Sequence, residues 1–244
     1  LALGGAVSGS GTISATSSSK LNINAAVGTL NFTSGANTLG AVTLSSSGSA
    51  TLGNAMNIDA TGVLTVNSGG VLTSNGNLTL KSTASGTARV AQGSSSGNYI
   101  VGNVNTETYI PGGRRAFRFV CHPFSSAIGL SQLTDDIDIT GNGGGLNGFD
   151  YQPGNPASAF WYNPLTGNGS TVNDIGWTAF THTNGTGTNA WDKCEAARIL
   201  IRGSKGQGLY AGTYTPNAVT LDMTGPINQG DVTINLTKGS NTPF

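Results

Sequence analysis

The chain has 244 residues, of which 11 are Lys or Arg and 11 are Asp or Glu, so it carries no net formal charge at neutral pH. With 9% charged and 36% hydrophobic residues it can bury a core, and the charge balance argues against capture of nucleic acid or an anionic membrane, which needs clustered cations. It also lacks a run of the roughly 18–20 apolar residues that a membrane-spanning helix needs, so we expect no transmembrane segment.

Residues 1–80 differ in composition from the rest of the chain. They contain two charged residues, Lys20 and Asp59, one aromatic residue, Phe32, and no proline, whereas every tryptophan, tyrosine and proline lies beyond residue 98. Ser, Thr, Gly, Asn and small aliphatic residues in short alternating runs favour strands and turns over helices. The sequence therefore predicts an all-β fold built from two kinds of region.

Short apolar-Thr-apolar runs recur through the first region at steps of 20 to 22 residues, for example from Leu30 to Leu52 and from Leu44 to Leu64. A fixed period in this range is typical of stacked repeats, in which each unit covers its apolar face only by lying on its neighbours. This predicts a parallel β-solenoid over residues 1–90, with coils of about 20 residues. Its predicted inner column consists of Leu30, Leu44, Leu52, Ile58, Leu64, Leu72 and Leu78.

Glycines mark the predicted corners of this solenoid at Ser47-Gly48, Gly62, Gly69-Gly70 and Asn75-Gly76, because corners need positive φ. An antiparallel sandwich of short strands is the alternative that the composition permits, and the lack of aromatic residues favours the solenoid. Outward threonines leave ice binding open as a function of such a β-helix, although their spacing is irregular.

Residues 91–103 form a Gly/Ser-rich junction, after which aromatic residues become frequent. Strand candidates separated by Gly, Asn and Pro turns then follow, which predicts a β-sandwich or jelly-roll domain over residues 104–244. One short helix is predicted over 125–133. The strand candidates cover residues 99–101, 104–110, 116–121, 159–162, 177–181, 197–202, 209–214, 218–223 and 231–236.

Seven segments occur in an order that resembles a known family: LTSNGNLTLKSTASGTARVA, GNVNTETYIPGGRRAFRFVCHP, DDIDITG, NGFD, SAFWYN, ILIRGSKG and TLDMTGPINQGDV. Together they cover roughly residues 60–242 and resemble a module of large extracellular and cell-surface proteins of Bacteroidetes, which are type IX secretion substrates. The resemblance implies a secreted or cell-surface, non-enzymatic, adhesin-like protein. It also implies a separate C-terminal sorting domain, so we expect this chain to be a piece of something longer.

Catalytic signatures are weak, and no enzyme is predicted. The two histidines, His122 and His182, have no metal-ligand spacing, and Cys121 next to His122 in a strand would point to the opposite face. Glu107 and Glu195 are the only glutamates, and nothing selects a pair of acids for glycoside hydrolysis.

A calcium site is a hypothesis for the most acidic segment. Asp135, Asp136 and Asp138, with Asp150 after a Gly/Asn loop, could supply the oxygen ligands that Ca²⁺ prefers. The alternative is a solvated turn at a strand edge. No other cofactor is predicted.

Two further sets of residues carry hypotheses. Cys121 and Cys194 form one disulfide if the protein is exported, or else two separate buried thiols. Trp161, Trp177 and Trp191, with Tyr162, form a sugar-stacking platform if they are exposed, although core packing is the commoner fate of tryptophan.

The arginines Arg114, Arg115, Arg118, Arg198 and Arg202 are expected to pair with the aspartates as an internal network. The sequence as a whole predicts an extracellular structural or adhesive protein. Its expected partners are other copies of itself, assembled into filaments through terminal strands such as 1–7 or 231–236, or neighbouring domains of a longer chain. A carbohydrate-binding module that recognises surface glycans is the alternative function.

Overall fold

The computed structural model describes residues 1–150, 156–163, 176–209 and 212–234. Within them the fold is all-β, and it divides into two compact units. The first unit consists of Leu1–Ile110 and Thr220–Val232, and the second of Pro111–Val219 and Thr233–Phe244, so that the second unit interrupts the first in sequence. No helix in the described ranges has the length and apolar character to cross a membrane.

The described residues form strands that we number in chain order. They are β1 (Ala2–Leu3), β2 (Ile13–Ala15), β3 (Lys20–Ile23), β4 (Ala26–Leu30), β5 (Phe32–Leu44), β6 (Ser49–Leu52), β7 (Met56–Val66), β8 (Val71–Thr73), β9 (Leu78–Leu80), β10 (Ser82–Thr83), β11 (Gly86–Thr87), β12 (Arg89–Val90), β13 (Ile100–Val101), β14 (Val104–Ile110), β15 (Ala116–Cys121), β16 (Ala159–Tyr162), β17 (Trp177–Ala179), β18 (Ala196–Ile201) and β19 (Val219–Gly225).

The first unit is a stack of coils in which parallel strands form three rows. The first row contains β2, the first part of β5, the first part of β7, β9 and β14. The second row contains β1, β3, the later parts of β5 and β7, and β12. The third row contains β4, β6, β8 and β13. This parallel stacking confirms the predicted solenoid arrangement.

The predicted step of 20 to 22 residues between coils is confirmed for the first coils, and the step lengthens at the last one, where Leu78 pairs with Val104. Leu30 pairs with Leu52, and Leu44 pairs with Val66, each 22 residues further along. The predicted step of 20 from Leu44 to Leu64 is therefore wrong by two residues. Because side chains alternate between the two faces of a strand, a shift of two residues leaves the same residues inside.

The residues of the predicted inner column are confirmed as buried, but they lie in all three rows rather than in one stack. All seven of these leucine and isoleucine side chains are buried, with at most 1% of their surface exposed. Phe32, the one aromatic residue of residues 1–80, is buried among them. Full burial of one such side chain stabilises a protein by about 1.5–3 kcal/mol, so these side chains are the main source of stability in the solenoid.

The corner glycines are explained mostly by close stacking. A Cβ at Gly70 would lie 2.6 Å from the carbonyl oxygen of Ser45, and a Cβ at Gly62 would lie 2.8 Å from that of Gly40 in the preceding coil. Positive φ, the predicted reason, holds at Gly69 and Gly76 but not at Gly62 or Gly70. Most of these corners therefore need glycine because one coil leaves no room for a side chain on the next.

The last coil is covered by a segment of the first unit that follows the second unit in sequence. β19 lies next to β14, and because Thr106 contacts Met223 and Asn105 contacts Thr224, the two strands run antiparallel. In the third row, the side chain of Gln229 donates a hydrogen bond to the carbonyl of Ile100 and accepts one from its N–H, both at 2.7 Å.

These contacts extend the first unit beyond its predicted limits. The predicted solenoid ended at residue 90, and residues 91–103 were expected to be a junction. In the structure β13 and β14 are further strands of the solenoid rows, and the division of the chain falls after Ile110. The Gly/Ser-rich composition of the junction reflects a loop between two strands of the last coil.

The second unit contains a four-stranded antiparallel sheet in the order β15-β18-β16-β17. β15 and β16 have the predicted bounds, and the predicted helix is a 3₁₀ turn at Leu130–Leu133. A sandwich is not confirmed, since the described part of this unit holds one such sheet. Residues 209 and 212–214 are not strand, nor are 231–234, and residues 210, 211, 235 and 236 lie outside the described ranges.

The core of the second unit lies under one face of this sheet and its loops. The buried aromatic residues Phe124, Phe180 and Trp191 are at most 1% exposed, and Ala197, Ile199 and Ile201 of β18 are buried along the inward face of the strand. Alternation along β18 therefore leaves the opposite face of the sheet facing outward.

Candidate functional site

The outward face of the four-stranded sheet carries aromatic side chains from three strands. Phe117 and Phe119 alternate with half-buried residues on β15, and Phe160 and Tyr162 take alternate positions on β16. Register brings them together, because Phe119 and Phe160 both lie opposite Arg198 on β18, and Tyr162 lies opposite Trp177 on β17.

The rings contact one another in edge-to-face and tilted arrangements. The ring centres of Tyr162 and Trp177 lie 5.3 Å apart, those of Phe119 and Trp177 5.6 Å apart, and those of Phe117 and Phe160 6.0 Å apart. Such pairs each contribute about 0.5–1.5 kcal/mol beyond the area they bury. The rings therefore form two contacting groups on one face of the sheet, which we together call the aromatic platform: Phe117 with Phe160, and Phe119 with Trp177 and Tyr162.

A single arginine lies at the centre of the aromatic platform. The guanidinium carbon of Arg198 is 4.2 Å from the ring centre of Phe117, 5.7 Å from that of Trp177 and 5.8 Å from that of Phe160. Cations at these distances are attracted by the negative faces of aromatic rings. Arg198 thus fixes the positions of rings from three different strands.

The platform is open to solvent. Phe119 is 68% exposed, Tyr162 44% and Phe117 38%, whereas Phe160 and Trp177 are half-buried. Large apolar side chains grouped on a surface mark binding sites more often than chance exposure does. This grouping makes the outward face of the sheet the strongest candidate for a functional site in the described residues.

The three tryptophans that were predicted to stack on sugars lie in three different environments. Trp177 belongs to the platform. Trp161 is half-buried, and alternation places it on the opposite face of β16 from Tyr162. Trp191 is fully buried and its indole N–H donates to the carbonyl of Glu195 at 3.0 Å, so its assignment to a sugar-binding surface is wrong.

Tyr162 was predicted beside the tryptophans, whereas Phe117, Phe119 and Phe160 were missed by the sequence analysis. Their signal was the alternation Phe117-x-Phe119 and Phe160-x-Tyr162, in which aromatic residues occupy every second position of a strand. When both faces of a strand are apolar in this way, one face packs on the core and the other remains on the surface. That signal does not reveal which strands are neighbours, and Arg198 could only be placed by the register.

The four aspartates proposed as calcium ligands do not all converge: carboxylate oxygens of Asp135 and Asp136 lie within 4.8 Å of each other, but in the described residues Asp138 and Asp150 do not join them. Within the described residues no three of them have carboxylate oxygens within 4.8 Å of one another. Asp135 is exposed, whereas both carboxylate oxygens of Asp150 accept hydrogen bonds from Lys205, at 2.7 and 2.8 Å. The carboxylate of Asp138 is buried and accepts from the N–H of Gly206 at 2.9 Å. The predicted four-ligand site is therefore wrong for these carboxylates.

Asp138 belongs to a buried polar cluster with Arg202. Arg202 is 3% exposed, and its guanidinium donates a hydrogen bond to the hydroxyl of Thr140 at 3.1 Å. Burial lowers the pKa of Arg202, as does the charge of Arg115, while the charge of Asp138 raises it. The predicted arginine–aspartate network is not found: the two ion pairs shorter than 4 Å in the described residues both involve lysine, and Oδ2 of Asp138 and Nε of Arg202 have no hydrogen-bond partner there.

The two cysteines are free thiols in the structure, Cys121 exposed and Cys194 half-buried, so the predicted disulfide is not formed. Burial raises the pKa of the Cys121 thiol, and the neighbouring Cys194 and Glu195 raise it further. A raised pKa keeps the thiol protonated and weakens it as a nucleophile.

His122 points to the opposite face from Cys121, as alternation predicted. It is buried, its Nε2 lies 3.0 Å from the carbonyl oxygen of Trp191, and its Nδ1 accepts from the N–H of Phe124 at 3.2 Å. These partners fit a neutral imidazole with its proton on Nε2. Burial also lowers the pKa of His122. Its role is therefore to satisfy buried polar groups of the core.

Comparison of the chain with protein-family models, with curated proteins and with solved structures finds no match.

Proposed function

We propose that this protein is a non-enzymatic, carbohydrate-binding protein of the extracellular space or the cell surface, with an adhesive role. The observation that carries the proposal is the aromatic platform on the outward face of the second unit's sheet. The resemblance to secreted, adhesin-like proteins of Bacteroidetes supports the location and the adhesive role. The β-sandwich predicted for the second unit belongs to the same proposal.

The chemistry of the platform suits a sugar ring. One face of a pyranose ring is a layer of C–H groups, which packs against an aromatic ring, while its hydroxyls remain free for hydrogen bonds at the ring edge. Tyr162 and Trp177 can supply both parts, because each has an apolar body and a polar group at one end. Rings from three strands provide more than one such surface, which suits an oligosaccharide.

The first unit fits the proposal as a spacer. A solenoid is an elongated arrangement in which each coil contacts only its neighbours, and its outward side chains are mostly uncharged Ser, Thr and Asn. Low charge gives little electrostatic repulsion between copies packed at a surface.

A binding experiment on the full chain tests the proposal. Calorimetric titration with a panel of oligosaccharides should detect binding, and Trp177→Ala should weaken it by roughly 30-fold or more, since truncating a central aromatic residue commonly costs about 2 kcal/mol or more. Trp161→Ala is the matched control, because Trp161 lies on the other face of the same sheet.

Two results would contradict the proposal. One is the absence of binding across a broad panel of glycans. The other is equal binding by wild type and the Trp177→Ala variant, with both proteins shown by circular dichroism to be folded.

The two other functions have less support from the described residues. For ice binding, the outward threonines Thr29, Thr51 and Thr73 align in single file rather than in pairs, and Val101 follows them. For filaments, the terminal strand β1 already pairs with β3 of its own unit. Strand exchange stays a prediction.

A further inference from the structure

Among the described residues, the aromatic platform surrounds one charged group, Arg198, and the strands of its sheet supply no opposite charge. The four strands of its sheet contain no Asp or Glu, and of their two arginines Arg198 lies on the outward face while Arg118 takes the alternate position on β15. Glu195, just before β18, is half-buried and accepts a hydrogen bond from the N–H of Asp192 at 3.2 Å.

The side-chain N–H groups of Arg198 have no hydrogen-bond acceptor in the part of the chain that the structure describes. A guanidinium has five N–H donors, and the guanidinium carbon of Arg198 lies over the rings of Phe117, Phe160 and Trp177, which offer no oxygen or nitrogen acceptor for these donors. Arg202 differs, since its guanidinium donates to Thr140. Arg198 is half-buried, so its donors lie beside the exposed rings and are only partly hydrated.

We infer that the aromatic platform binds a carboxylate-bearing glycan, one that contains uronic acid, with the carboxylate on the guanidinium of Arg198. This inference rests on the proposed function and names its ligand class. A planar guanidinium and a planar carboxylate form two parallel N–H···O bonds, which fix both distance and orientation.

The surrounding rings favour this ligand over other anions. A uronic acid presents its carboxylate at the edge of a pyranose ring, so that the sugar can lie on Trp177 or Phe117 while the carboxylate lies beside Arg198. A nucleic acid is a poor fit, because its affinity depends on many cations that contact phosphates in a row, and this face has one.

The experiment compares uronic-acid oligosaccharides with their methyl esters. Oligogalacturonate, oligoglucuronate and oligomannuronate are titrated into the full chain by calorimetry, each beside its methyl ester, which keeps the sugar and removes the charge. At least one acid should bind about 10-fold to 100-fold more tightly than its ester, the range expected for hydrogen bonds to a charged group.

Variants of Arg198 identify the group responsible. Arg198→Gln should remove the preference for the acid over the ester, and Arg198→Lys, which keeps the charge but not the paired N–H groups, should retain part of it. Arg89→Gln is the matched control, because Arg89 is an exposed strand arginine of the first unit. It should leave both affinities unchanged.

The outcomes separate the two proposals. Equal binding of acids and esters, or a preference that survives Arg198→Gln, overturns the inference and leaves the proposed function standing. Binding of neither acids nor esters nor any neutral glycan overturns both. Loss of all binding in Trp177→Ala together with loss of acid preference in Arg198→Gln supports both.

Discussion

The two units of this protein reach stability by different means. In the first unit the same contacts repeat in each coil: an inner aliphatic residue, a parallel backbone ladder and a glycine at a crowded corner. In the second unit each contact occurs once, as with the Asp138–Arg202 cluster and the packing of His122 against Trp191. Each unit has one ion pair shorter than 4 Å among the described residues. It is Lys81–Glu107 in the first unit and Lys205–Asp150 in the second.

The difference shows where specific chemistry can be placed. A repeat tolerates little variation inside, because each side chain must match the coil above and the coil below. A sheet of unrelated strands has no such constraint, so its outward face can carry a cluster such as the aromatic platform. All three tryptophans lie in the second unit, so tryptophan fluorescence reports on that unit alone and makes the comparison measurable.

The largest effect is expected from the buried polar cluster. Asp138→Ala should destabilise the second unit by about 3–5 kcal/mol, because it leaves the buried guanidinium of Arg202 without its nearby negative charge. Denaturant unfolding followed by tryptophan fluorescence measures this change. Asp135→Ala, at an exposed carboxylate close by in sequence, should change the free energy of unfolding by less than about 0.5 kcal/mol.

A core substitution in the solenoid tests the other side of the comparison. Leu64→Ala should destabilise the first unit by about 2–5 kcal/mol, because the side chain is fully buried and the coils above and below limit collapse of the cavity. Circular dichroism should detect the loss, while the tryptophan transition stays in place. Thr65→Ala, on the outward face, is the control. If Leu64→Ala moved the tryptophan transition equally, the two units would not be independent in stability.

A corner glycine should show a smaller but distinct effect. Gly70→Ala should cost about 1–3 kcal/mol, since the new Cβ would lie 2.6 Å from the carbonyl oxygen of Ser45 and φ at this position is not positive. Gly4→Ala, where a Cβ would meet nothing within 4 Å, should be near neutral. A neutral Gly70→Ala would show that the coils can separate locally, and would weaken the explanation by stacking.

The smallest effect on stability is expected from lowering the pH, and it arises from His122. The folded state lowers the pKa of His122 below its ordinary value of 6.5, so the unfolded chain takes up a proton first as pH falls. The stability that His122 contributes is therefore complete above about pH 6.5 and is lost as pH decreases below it. Melting temperatures of the second unit between about pH 7.5 and 5.5 measure the slope.

Replacement of the histidine should remove this dependence. His122→Asn should flatten the slope, whereas His182→Asn should preserve it. An unchanged slope in His122→Asn would assign the pH dependence to other groups.

The sequence predicted the solenoid well because repetition makes one physical signal visible many times. Its error of two residues in the coil step has a simple cause: Leu64 and Val66 are both buried, so burial alone cannot say which of them lies beside Leu44. The register is set by the corners, where collisions between neighbouring coils decide which glycine lies over which carbonyl.

The aromatic platform was harder to predict, because it depends on pairing between distant strands. Arg198 and Phe119 are neighbours through an antiparallel register that no local pattern specifies. Trp191 shows the converse, since a tryptophan in a loop looks available for a ligand until the fold buries it. The aspartates failed as a calcium set for the same reason: their nearness in sequence did not decide which of them Lys205 or Gly206 would bond.

The hydrogen bonds between Gln229 and Ile100 join residues that lie 129 positions apart, with the second unit between them. During synthesis β13 and β14 emerge long before β19 and Gln229, so for that time the end of the solenoid is an unpaired strand edge. Bringing such distant segments together is slow in comparison with forming the local coils, and exposed edges invite pairing with other chains. The insertion that carries the aromatic platform therefore also makes the closing of the solenoid a late folding step.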